Sequence, residues 1–206
     1  PLQGGRLGSS VDVGDVNGDA RVDFVVGAQT ALPNGTQSGG VYTVFGTGAN
    51  SASFSREIYT VINAGGGMIL GGEANGDLTG TVVSVPGDVD RDGIADIVAG
   101  SHGAGAVKGR FYIVYGRSNW PVLTVLNGME ERDGQIWIGS SLNNNASLGF
   151  STARGGDFNG DGRADIAVGA LLENAQGGTP TATGAAYLLL DATRPFCDGF
   201  ETPRCR

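Results

Sequence analysis

The sequence predicts an all-β chain built from three tandem units of about 70 residues, and three observations carry that prediction. An acidic nine-residue loop recurs three times in the same spacing. Each copy runs straight into a short apolar, β-branched segment that ends in glycine, the composition of a short buried strand. No stretch has sustained helical periodicity, while glycine makes up 38 of the 206 residues and charged residues are few.

The loops are Asp15-Val-Asn17-Gly-Asp19-Ala-Arg21-Val-Asp23, Asp88-Val-Asp90-Arg-Asp92-Gly-Ile94-Ala-Asp96 and Asp157-Phe-Asn159-Gly-Asp161-Gly-Arg163-Ala-Asp165. Oxygen side chains stand at positions 1, 3, 5 and 9. A loop that folds back on itself aims the first three at one centre, the position-7 carbonyl of Arg21, Ile94 or Arg163 faces the same point, and the position-9 acid closes the cage. Such a set, free of nitrogen and sulfur, suits a hard divalent cation and above all Ca2+, at three sites. Zinc and copper do not fit it. An EF-hand would need a bidentate Glu at position 12 on an exiting helix. Here position 12 is Val26, Ala99 or Val168, and the following Phe24–Gly27, Ile97–Gly100 and Ile166–Gly169 runs read as strands, so each loop joins strand to strand.

The three sites are expected to be unequal. Position 6, where the loop turns sharply, is Gly93 and Gly162 but Ala20 in the first copy. A left-handed conformation there would cost Ala about 1–2 kcal/mol. The second loop has four carboxylates and the others three, so the expected order of occupancy is second, third, first.

These residues resemble the FG-GAP repeats of integrin α-subunits and their bacterial relatives, which form β-propellers. The family's Phe-Gly pair is represented by Leu7-Gly8, Thr79-Gly80 and Leu148-Gly149, without the Phe. Its Gly-Ala-Pro is represented by Gly27-Ala28-Gln29, Gly100-Ser101-His102 and Gly169-Ala170-Leu171, without the Pro. The Gly-led strands match well: Gly40–Phe45, Gly109–Tyr115 and Gly184–Leu190. The resemblance covers most of residues 7–190 and implies blades of a β-propeller. The first loop Asp recurs after 73 and then 69 residues, a spacing that suits one four-stranded blade.

The blades are expected at about 1–70, 71–140 and 141–196, with a tail at 197–206. Strands are expected at 9–14, 23–28, 40–46 and 57–63; at 81–86, 96–100, 109–115 and 121–126; and at 150–155, 165–169 and 184–190. Segments 64–78 and 127–148 read as hairpin or connecting structure to the next blade. Closed propellers typically have four to eight blades, and an open row leaves edges exposed. Three blades are therefore a partial propeller, with Pro1 in place of Met fitting a piece of a longer or processed chain, or half of a ring that a homodimer completes, or a row whose third blade ends irregularly.

Charge excludes little. Of 21 acids, ten lie in the three loops, and three Ca2+ ions would take the formal charge of −8 to −2. No basic patch points to nucleic acid, and no apolar run is long enough to span a membrane. Cys197 and Cys205 can close a disulfide loop in the tail; together with calcium sites that fill at extracellular concentrations, this points to a secreted or cell-surface protein.

Catalytic residues are sparse, and the chain reads as no enzyme. His102 is the lone histidine and no nucleophile motif accompanies it. Glu130, Glu131 and Asp133, or Glu73 and Asp77, could flank a glycosidic bond but read as solvated turns. The leading reading is a calcium-dependent interaction or adhesion module whose protein or glycan ligand meets the rim opposite the metal loops, formed by 29–39, 101–108, 171–183, 71–79 and 140–148. Candidate contacts are Asn34, Gln37, His102, Lys108, Asn143 and Asn144. The alternatives are a propeller lectin, which would need Trp120 or Trp137 exposed as a sugar platform, and a non-catalytic region of a larger secreted enzyme.

Overall fold

The computed structural model describes residues 4–48, 58–105, 108–139, 146–173 and 183–190, so the cysteine pair, Asn143 and Asn144 lie outside the described residues. The chain forms β1 (Leu7–Gly14), β2 (Asp23–Ala28), β3 (Gly40–Val44), the short helix α1 (Ile58–Val61) with a following helical turn Ile62–Gly66, and β4 (Gly67–Gly71). Next come β5 (Val83–Gly87), β6 (Asp96–Ser101), β7 (Arg110–Val114), β8 (Leu123–Val125), β9 (Gly134–Ile138), β10 (Leu148–Gly156), β11 (Asp165–Ala170) and β12 (Ala185–Leu189). Three sheets result, ordered β1-β2-β3-β4-β8, β5-β6-β7-β9 and β10-β11-β12. Each is an antiparallel meander apart from β8, which joins the first sheet in parallel, and together they are three blades of a partial β-propeller.

The expected first, second and third strands are present in every blade. The fourth strands correct the sequence reading. Residues 57–63 were expected as a strand, but Ile58–Val61 is helical and the fourth strand of blade 1 is β4, inside the segment read as hairpin or connecting structure. Ile58, Tyr59 and Ile62 lie on one helical face and pack on Tyr42, Ala28 and Ile69 of blade 1, so tertiary burial overrides their β-propensity. The run at 121–126 does form a strand, β8, yet it pairs in parallel with β4 of blade 1, in register Ile69↔Leu123 to Gly71↔Val125. The fourth strand of blade 2 is β9, paired with β7 from Arg110↔Ile138 to Val114↔Gly134.

Each blade has a rear face toward the next blade and a front face toward the preceding one, set by the two-residue alternation of its strands. Val25, Val41, Met68 and Leu70 on the rear of blade 1 bury against Ile97, Ala99, Tyr112 and Val114 on the front of blade 2. Val98, Phe111, Ile113 and Trp137 on the rear of blade 2 bury against Ile166, Val168, Ala170 and Leu189 of blade 3. Trp137 stacks on Phe111 with ring centroids 5.7 Å apart. The inner strands are tied by polar contacts: Val85 N donates to Asp12 Oδ2 at 2.7 Å, Ser84 Oγ and Thr152 Oγ1 lie 3.2 Å apart, and Arg154 pairs with Asp12.

The conserved-looking glycine pairs of the repeat have a steric cause. A Cβ on Gly27 would stand 2.0 Å from Gly80 O, and one on Gly100 would stand 2.1 Å from Gly149 O, so backbone meets backbone where blades join. Gly169, at the same place in blade 3, would meet only the Ser151 side chain. Gly100→Ala is therefore expected to cost about 1–3 kcal/mol through overpacking, while Gly169→Ala is nearly neutral because Ser151 can rotate away. Thermal melts of the two variants check this; equal losses would contradict it.

Candidate metal centres on one rim

All three acidic loops join the first strand of a blade to the second, which places them on one rim. Their internal hydrogen bonds repeat. Asp15 Oδ1 accepts from Gly18 N and Asp19 N at 2.7 and 3.1 Å, and Oδ2 accepts from Ala20 N at 2.7 Å. Asp88 does the same with Arg91, Asp92 and Gly93 at 2.6, 3.2 and 2.8 Å. Asp157 accepts from Asp161 N and Gly162 N, both at 2.9 Å. Position 3 bonds position 5, from Asp19 N to Asn17, Asp92 N to Asp90 and Asp161 N to Asn159, at 3.0–3.2 Å. Position 5 bonds position 7, from Arg21 N to Asp19, Ile94 N to Asp92 and Arg163 N to Asp161, at 2.8–2.9 Å. These Asx-type bonds hold the loop closed and turn its oxygens inward.

The position-9 acids Asp23, Asp96 and Asp165 are fully buried. Asp23 accepts from Val16 N and Gly46 N, both at 2.9 Å, and Asp96 from Val89 N and Gly116 N at 2.7 and 2.8 Å. Asp165 Oδ2 accepts from Phe158 N at 2.6 Å, whereas its Oδ1 is buried without a hydrogen-bond partner among the described residues. In the second loop, ligand-capable oxygens of Asp88, Asp90 and Asp96 all lie within 4.8 Å of one another. Asp92 is outside that group. Among the described residues this is the one such cluster of acids, because only the second loop has Asp at position 3.

The electrostatics of that cluster are unfavourable without a counter-charge. Burial, reinforced by Asp90 and Asp88 against the two backbone N–H donors, pushes the Asp96 carboxyl up to about 7. Burial and the neighbouring Asp92 also raise Asp90, and burial raises Asp23. An all-oxygen set with excess negative charge fits a hard cation.

Position 6 is left-handed in all three loops: Ala20 at φ +63°, Gly93 at +92° and Gly162 at +82°. Position 4 is left-handed too, at Gly18, Arg91 and Gly160 (φ +75°, +69° and +75°). The Gly-Arg-Gly series at position 4 was a visible signal that the sequence reading did not use. Arg91 is strained there, and its guanidinium crosses to the third loop and donates to the Asp161 carbonyl. Adjacent loops are also joined by backbone bonds, with Ala95 N donating to Asp15 O at 3.0 Å and Ala164 N to Asp88 O at 3.4 Å.

The other candidate residues have structural partners. Glu73 accepts from Tyr112 Oη at 2.8 Å and pairs with Arg110, Asp77 accepts from Ala74 N, and Asp133 pairs with Arg117 at 2.7 Å. Glu130 pairs with Arg132 at 3.1 Å. His102 sits edge-on to Phe150 on the second rim, and Asn34 Nδ2 donates to Gly72 O at 3.1 Å. Trp137 is buried between blades. Trp120 is packed on the core with its Nε1 on Val16 O at 2.9 Å and Arg117 over its ring, which leaves the sugar-platform reading without its aromatic. No helix among the described residues is long and apolar enough to cross a membrane.

Meandering blades joined through glycine contacts, each with an Asp-rich loop on the same rim, define a partial β-propeller. The FG-GAP repeat family model matches residues 7–44 and 148–189. The chain is 28% identical over 183 residues to integrin alpha pat-2 of Caenorhabditis elegans, covering 81% of this chain and 13% of that protein. It is 29% identical over 174 residues to human integrin alpha-IIb, covering 82% and 15% respectively, and 26% identical over 176 residues to integrin alpha-4 of Xenopus laevis, covering 83% and 15%. The chain thus resembles the FG-GAP repeats of integrin α-subunits, and it spans about one seventh of the length of these relatives.

Two outcomes follow for the loops. Ala20→Gly relieves the left-handed Ala and is expected to raise stability by about 1 kcal/mol, read as a higher Tm; an unchanged or lower Tm contradicts it. In chelator, folded Asp96 holds its proton to higher pH than the unfolded carboxyl does, at about 3.9. The native state then binds more protons between those values, so stability falls as pH rises through that window. Melts from pH 4 to 8 are expected to show this slope, and Asp96→Asn to reduce it.

Proposed function

We propose that this chain is a calcium-binding extracellular interaction module of integrin α-like propeller type, with no catalytic role. The observation that carries the reading is the convergence of Asp88, Asp90 and Asp96, set in a loop framework that recurs twice more on the same rim. The ligand sets are the side chains of Asp15, Asn17, Asp19 and Asp23 with the Arg21 carbonyl; Asp88, Asp90, Asp92 and Asp96 with the Ile94 carbonyl; and Asp157, Asn159, Asp161 and Asp165 with the Arg163 carbonyl. A bound Ca2+ neutralises the clustered carboxylates and so stabilises the rim.

The opposite rim is the proposed ligand face, and a protein ligand is favoured by the kinship with integrin α-subunits. A secreted or cell-surface location accords with sites of about 10⁻⁴–10⁻³ M affinity, the range of extracellular calcium modules.

Calorimetric titration with CaCl2 tests the metal reading. Three sites are expected, the second tightest and the first weakest, since the second has the extra carboxylate and the first the strained Ala20. Asp88→Asn should remove the tightest site, and excess chelator should lower the Tm of the unmodified chain. No binding heat together with a Tm indifferent to chelator would overturn it.

A further inference from the structure

The two ends of the blade row are finished differently. In blades 1 and 2, loop position 2 (Val16, Val89) is buried under the next blade, and the position-1 carbonyl accepts the next loop's position-8 amide. Blade 3 repeats the same rear face, with no described residue of a following blade against it. Phe158, at loop position 2, is 72% exposed, and Leu188 and Leu190 on the rear face are 42% and 38% exposed. Among the described residues, Asp157 O receives no amide from a following loop.

The front of blade 1 is treated in the opposite way. Its Ala28, Tyr42 and Ile69 are buried, and what buries them is the chain's own β3–β4 connection: Ile62 is fully buried there, Ile58 and Tyr59 pack alongside, and the Tyr59 ring lies 6.3 Å from that of Tyr42. These are the positions that, in blades 2 and 3, pack on the preceding blade. The front face is open at Val11, Val13 and Val22, the last of which occupies loop position 8 and is 64% exposed.

We propose that Ile58–Gly66 is an end cap standing where a preceding blade would pack, and that the rear face of blade 3 is a docking surface for the front face of blade 1 in a second copy whose cap has swung away. The docking surface continues an interface that the molecule already uses twice, with the same residue positions, the same glycine approach and the same loop-to-loop hydrogen bond. Its complement is present on the chain itself: Val22 offers the position-8 amide and Phe158 the position-2 side chain. The cap competes as part of the same chain, so it wins at ordinary protein concentrations and the homodimeric ring is held off. Head-to-tail contacts of this kind close into a ring or run on as a filament, depending on the rotation between copies. The inference rests on apolar packing and does not depend on the calcium reading.

Light-scattering mass in excess CaCl2 tests it, on the unmodified chain, on Ile62→Asp, which expels the cap, and on Ile62→Asp combined with Leu188→Asp, which spoils the rear face. The expected masses are a monomer, a doubled or higher multiple, and a monomer again. Should Ile62→Asp lose its β-sheet circular dichroism, the milder pair Ile58→Ser and Tyr59→Ser is read in the same way. A folded, cap-released variant that stays monomeric would overturn the proposal and assign the rear face to some other occupant. An unmodified chain that is already dimeric would overturn the cap.

Discussion

The buried position-9 aspartate is the interaction on which the rest of the structure depends. Its carboxylate ties the start of its own loop to the chain just beyond the third strand, through Val16 and Gly46 for Asp23 and through Val89 and Gly116 for Asp96. That tie fixes where position 2 points, and position 2 is what blades 1 and 2 insert under the next blade. Each pair uses both carboxyl oxygens as acceptors, and an amide, with a single acceptor oxygen, could not reproduce it in full. Yet burying an ionised carboxylate is costly unless it is compensated, and two backbone amides leave Asp96 well above the ordinary carboxylate range. The structural tie therefore creates the electrostatic demand that the proposed calcium would meet, so fold and site are one construction.

Packing between blades follows from the same economy of space. Gly27 against Gly80 and Gly100 against Gly149 bring backbones together at the second rim, while branched side chains fill the space between sheets farther along. The rims then differ in kind. At the metal rim, successive loops are joined by Ala95 to Asp15, Ala164 to Asp88 and the Arg91 strap to Asp161. At the second rim, Thr79 N meets Ser38 O at 3.0 Å and Leu148 N meets Lys108 O at 3.1 Å, bonds that pin the bases of the connections.

Local rules made the loops and the first three strands of each blade legible. Nine-residue spacing, β-branched runs and glycine stops all act within a dozen residues, and Asp23–Ala28 and Asp96–Ser101 lie where those rules place them. The fourth strands were illegible because two short apolar runs compete for one place. Ile58–Val61 is the more β-branched and Gly67–Gly71 the more glycine-flanked, and only the packing of Ile62 on Tyr42 decides between them. Leu123–Val125 is a strand by composition, but nothing in its own residues says that its partner is β4 of another blade. In the loops, the ligand types were readable from spacing, whereas the exclusion of Asp92 from the converging group depends on which way each carboxylate turns.

Arg91 shows how a departure from the repeat carries information that its spacing does not. The left-handed position 4 is glycine in the first and third loops, where no side chain has to be accommodated. Arginine there costs backbone strain of about 1–2 kcal/mol, and its guanidinium reaches the Asp161 carbonyl of the next loop. The same residue brings positive charge to the rim where four carboxylates crowd the second loop and three the third. The second loop thus combines the highest acidity with a side-chain strap to the next loop. Strain accepted at one residue is matched by order in two loops, and that coupling makes the middle blade the one that organises the rim.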